Sequence, residues 1–115
     1  MNLTYFLDNK LGGVTSLNYN LAMNCPATDF IQSVIHLDFK EGDYPRANIK
    51  FPMQHEKYFS YSYRENFYAV LKRLAGQVPT QTSACIFNYN VEMALHDHYP
   101  FTHTTFQLVH DDYNV

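Results

Sequence analysis

The segment 62–76 limits this chain's folding options most, because start, body and stop signals of a helix all coincide there. Ser62 and Glu65 stand at capping-box spacing, so the serine oxygen can accept from the Glu65 N–H while the glutamate reaches back to the Ser62 N–H. Tyr63, Phe67, Val70, Leu71 and Leu74 recur at helical spacing, with Arg64, Asn66, Lys72 and Arg73 elsewhere around the cylinder. Gly76 follows as a residue suited to a left-handed C-terminal turn. The spacing therefore predicts one long helix, and the rest of the chain must supply what it covers.

That remainder reads as strands. Residues 3–7 form a short apolar run, followed by Asp8, Asn9, Lys10, Gly12 and Gly13, which suit a hairpin turn. In 14–23, Leu17, Tyr19, Leu21 and Met23 alternate with Ser16, Asn18, Asn20 and Ala22, the period of a half-buried strand. In 31–39 the β-branched content and the alternation of Ile31, Ser33, Ile35, Leu37 and Phe39 again favour a strand, with Gln32, His36 and Asp38 on its other face and Val34 the exception. A turn at 40–43 leads into 47–53, where Ile49, Phe51 and Met53 point inward as the second arm of a hairpin, and Pro52 marks it as an edge. Segment 54–60 reads as loop with a little extended structure. The longest strand signal runs from Cys85 to Leu95, and 102–109 alternates as the last strand. Leu17-Asn18-Tyr19-Asn20-Leu21-Ala22-Met23 is echoed by Phe87-Asn88-Tyr89-Asn90-Val91-Glu92-Met93, a match too short for duplication that reads as two similar amphipathic strands.

The expected fold is thus a single α+β domain over residues 1–115: a mostly antiparallel sheet of five to six strands, order β-β-β-β-α-β-β, with one long helix packed on one face. A hydrophobic fraction of 46% with ten Tyr, nine Phe and no Trp fits an aromatic-rich core rather than a disordered chain. No basic leader, and no apolar run of about 18 residues, leaves the cytoplasm as the expected compartment. Cys25 and Cys85 lack C-x-x-C spacing and read as free thiols.

Chemistry-bearing motifs are sparse. His96 and His98 form an H-x-H tract, but beside Pro100 and without matching ligands, so no metal and no cofactor is expected. Cys25 with a histidine is a thin nucleophile candidate, Cys85 falls on the expected core face, and no phosphate-binding glycine motif, serine elbow or zincin motif occurs. The aromatics of 58–63, among Lys50, Lys57, Arg64, Lys72 and Arg73, suggest stacking and phosphate contacts, yet a net charge of −3 argues against nucleic acid.

The charge is lopsided, with no Lys or Arg after Arg73. On the antiparallel reading, Asn88, Asn90, Glu92, Asp97, His103 and Gln107 share an outward acidic face. The expectation is a small protein-binding module, an inhibitor of the antitoxin or immunity type that covers a basic site on a partner protein, with no membrane partner. The alternative is a small enzyme using a helix/sheet pocket, with His36 or His103 as acid/base.

Overall fold

In the computed structural model, which describes residues 1–88 and 91–109, the chain alternates strands and helices. It runs β1 (Asn2–Asp8), α1 (Gly13–Asn24), β2 (Ile31–Phe39), β3 (His55–Tyr61), α2 (Phe67–Gln77), β4 (Ala84–Phe87), α3 (Val91–His98) and β5 (Thr104–Gln107). The five strands make one sheet in the order β3-β2-β1-β4-β5, and every pairing is parallel. An α+β domain was expected, and the five strands fall at the lower end of the expected five to six. The antiparallel pairing and the single long helix are overturned: there are three helices among the described residues, the longest being the 12-residue α1.

Parallel neighbours cannot be joined by a hairpin and need a crossover that packs on the sheet. Segment 14–23, expected as a strand, is that crossover between β1 and β2. Its turn residues start a helix instead of a hairpin, because Gly12 caps it at φ 153° and ψ −170°, a backbone conformation that side-chain-bearing residues avoid. The alternation misled because α1 turns its small and polar side inward: Thr15, Asn18 and Ala22 are buried at helical spacing, whereas Leu17, Leu21 and Met23 are exposed. The expected long strand from Cys85 to Leu95 likewise divides into β4 and α3, whose buried Val91, Glu92 and Leu95 follow helical spacing.

The connection from β2 to β3 carries no helix. Residues 45–54, which include the 47–53 expected as a hairpin strand, form a strap in which Phe51 is buried and Ile49 and Met53 are partly so, their inward direction as expected. Segment 54–60, expected as mostly loop, supplies most of β3. α2 begins at Phe67, later than the capping box implies. Glu65 Oε2 does accept from the Ser62 N–H at 2.8 Å, but the Asn66 side chain is the cap, accepting from the Ala69 N–H at 3.1 Å. Tyr63 and Phe67 consequently lie outside the buried stripe of Val70, Leu71 and Leu74.

Two cores flank the sheet. Against one face α2 and α3 pack Val70, Leu71, Leu74, Val91 and Leu95 onto Phe6, Ile35, Leu37, Phe59, Cys85 and Phe87. Against the other, α1 and the strap pack Ala22 and Phe51 onto Tyr5, Leu7 and Val34. Coverage on both sides is why Thr4 to Leu7 in β1 and Gln32 to Leu37 in β2 are buried without alternation. The division follows the strand order: the chain steps outward from β1 to β3 with α1 and the strap on one face, then reverses to β4 and β5 with α2 and α3 on the other. Among the described residues, no helix is long and apolar enough to cross a membrane.

Candidate functional site

The reversal places the diverging connections of β1 and β4 side by side at the carboxyl ends of the strands, the position where open parallel sheets form ligand crevices. A polar cluster is buried there. Asn88, just past β4, donates from Nδ2 to the Phe6 carbonyl at 2.9 Å and to Asn18 Oδ1 at 3.2 Å, and Asn18 Nδ2 returns a bond to Asn88 Oδ1 at 2.7 Å. Asn18 also donates to the Val14 carbonyl one helical turn earlier. The Asn88 N–H donates to Glu92 Oε2 at 3.2 Å, so the first turn of α3 is tied to the end of β4. Asn18, Asn88 and Glu92 are all buried. The two asparagines occupy corresponding positions of the internal sequence echo, so the repeated tract meets itself through its side chains.

Beside this cluster, over the ends of β1, β2 and β3, opens a crevice of about 260 Å³ lined by Asp8, Lys10, Phe39, Tyr44 and Tyr61. Its rim is built by backbone bonds. Asn9 N–H donates to the Leu37 carbonyl at 2.7 Å, and Leu11 N–H to the Pro45 carbonyl at 3.0 Å, where Lys10 and Arg46 form an antiparallel bridge. Arg46 fastens the rim. Its Nε meets Asp38 Oδ1 at 2.8 Å, its terminal nitrogens donate to the carbonyls of Phe39, Gly42 and Tyr44, and its guanidinium lies 4.2 Å from the centroid of the Tyr44 ring. Lys10 Nζ sits 5.2 Å from the centroid of the same ring. Burial, reinforced by Asp8, Tyr44, Glu92 and Asp38, raises the Tyr61 phenol well above its ordinary range and keeps it a neutral hydroxyl at the crevice.

Of the partner-facing residues expected from sequence, Asn88 and Glu92 are brought together, but inside the protein rather than on an outward sheet face. Asp97 and Gln107 are exposed on α3 and β5, and His103 is partly buried before β5, its ring 4.9 Å from that of Phe101. Asn90 lies outside the described residues. No hydrogen bond or ion pair links Asp97, His103 and Gln107 to one another among the described contacts. His36 is buried in β2, with Nε2 3.0 Å from Glu56 Oε1 and its ring stacked on Tyr58 at 4.7 Å, away from the crevice lining.

His96 and His98 are two residues apart on a helix, which turns them to different sides, and no three metal-ligating side chains converge among the described residues. Burial pushes the Cys85 thiol up to about 12, and raises Cys25 as well, with Asp29 adding to it; both are poor nucleophiles. Asp8, Lys10, Tyr44 and Tyr61 were missed from sequence; the available signal was a strand ending in Asp-Asn-Lys and running directly into Gly12-Gly13. Comparison with family models, with curated proteins and with solved structures finds no match.

Proposed function

We propose that this domain binds a small molecule in the crevice at the carboxyl ends of β1, β2 and β3. One observation carries the reading: a polar and aromatic crevice with a fastened rim lies at the carboxyl ends of parallel strands, on the β2 side of the β1/β4 reversal. Binding rather than catalysis is proposed, because Asp8, Lys10 and Tyr61 supply recognition groups but no nucleophile–base pair. Of the two acid/base candidates of the enzyme alternative, His36 is enclosed by Glu56, Tyr58 and Phe51 and His103 lies before β5, both outside the lining. The test is a screen of small polar fragments by amide and side-chain NMR. Shifts gathering on Lys10, Tyr44 and Tyr61, and abolished by Tyr44→Ala in a folded variant, support the reading. Shifts gathering elsewhere refute it.

The inhibitor reading keeps one supporting observation, the exposure of Asp97 and Gln107 in a third of the chain without Lys or Arg. It no longer has Asn88 and Glu92 as contact residues, since an interface needs side chains that a partner can reach. Affinity capture followed by Asp97→Lys tests it: a stoichiometric basic partner whose association slows in the variant supports an inhibitor.

A further inference from the structure

We propose that the ligand of the crevice is a small anion, carrying a carboxylate or phosphate group that pairs with the ammonium of Lys10. The inference rests on the small-molecule reading above and adds the charge of what is bound.

Two cations border the crevice, and they differ in what they already do. Arg46 is spent on structure: Asp38 balances its charge and three backbone carbonyls take its N–H groups. Lys10 is held only through its backbone and the face of the Tyr44 ring. Its carbonyl accepts from the Thr15 hydroxyl, its N–H donates to the Asp8 carbonyl, and no carboxylate lies within ion-pair distance of its Nζ among the described residues. A half-buried lysine whose Nζ lies over Tyr44, with the Asp8 carboxylate in the same lining but none within ion-pair distance of that Nζ among the described residues, favours an anion more strongly than the same group in open water.

The remaining lining sets the rest of the ligand. The neutral Tyr61 hydroxyl can donate or accept, so the anion also carries hydroxyl or amine groups. About 260 Å³ corresponds to roughly nine water volumes, which admits a small metabolite and excludes a polymer segment lying wholly inside.

The test uses the full chain at low salt and four probes of similar size: glycerol, serinol, glycerate and glycerol 3-phosphate, each titrated by NMR. Glycerate or glycerol 3-phosphate should shift Lys10, Tyr44 and Tyr61 with at least about tenfold tighter binding than glycerol, and whichever is tighter identifies the anionic group. Lys10→Met should remove that advantage, Lys10→Arg should keep most of it, and circular dichroism should confirm that both variants are folded. Tightest binding of glycerol or serinol at these residues, or an unchanged anion affinity in Lys10→Met, overturns the anion inference while leaving the crevice as the site. Shifts located elsewhere, or none from any probe, overturn the anion inference. The fragment screen then decides separately whether the crevice binds any small molecule.

Discussion

Replacing Asn88 tests whether the buried amide pair is a structural clasp. Asn88→Ala removes the donors to the Phe6 carbonyl and to Asn18 Oδ1, leaving two buried acceptors unpaired. At about 1–3 kcal/mol for each orphaned group, the loss is about 2–6 kcal/mol, a large share of the roughly 5–15 kcal/mol typical of a domain. Asn18→Ala takes the Asn18 donor from Asn88 Oδ1, while Asn88 Nδ2 keeps the Phe6 carbonyl, and should cost about 1–3 kcal/mol. In the double variant neither amide oxygen is left behind, and only the Phe6 carbonyl lacks its partner. The double loss should therefore fall short of the summed single losses by about 2–6 kcal/mol, the loss assigned to the two amide oxygens. Urea denaturation of the four proteins, with similar m-values, measures the cycle. Simple additivity would refute the reciprocal bond.

Leu71, fully buried on the inner side of α2, should lose about 2–5 kcal/mol as Leu71→Ala, while exposed Lys72→Ala should stay within about 0.5 kcal/mol; equal urea midpoints would contradict the packing. Glu41 accepts from the Ser62 hydroxyl at 2.6 Å and the Tyr63 N–H at 3.0 Å, and the Ser62 bond first, then that backbone bond, holds its carboxyl below the ordinary value. Because the folded value is the lower one, this contact stabilises above the unfolded carboxyl range and is lost as pH falls through the folded value. Carboxyl NMR titration should show the Glu41 midpoint rising in Ser62→Ala. With Cys85 pushed up to about 12 and fully buried, a maleimide at pH 8 should label Cys25 first and Cys85 only on unfolding, which mass spectrometry of a time course would check.

Legibility followed how local the causes were. β1, β2 and α2 were readable because Phe6 and Leu7, Ile35 and Leu37, and the stripe Val70, Leu71 and Leu74 announce burial within a few residues. α1 was not, since the face it buries is Thr15, Asn18 and Ala22, and what makes Asn18 an interior residue lies 70 positions away at Asn88. Pairing direction was equally hidden, because Gly12-Gly13 can close a hairpin or start a helix and only the second face of the sheet decides. The crevice joins Lys10 to Tyr44 through a backbone bridge that no periodicity records. The surface expected from Asn88 to Gln107 failed in part for the same reason: alternation was projected through a break between β4 and α3.

β1 emerges from the ribosome before either neighbour, yet it occupies the middle of the sheet. Its pairing with β2 can form once residue 37 is out, whereas its other side waits for residues 84–86. Throughout that interval the nascent chain carries Phe6 and a row of unpaired amides on an interior strand, a surface that sticks to other chains. Vectorial synthesis should thus make this domain depend on delayed closure, and a pause or truncation between β3 and β4 should leave a species prone to chaperone capture.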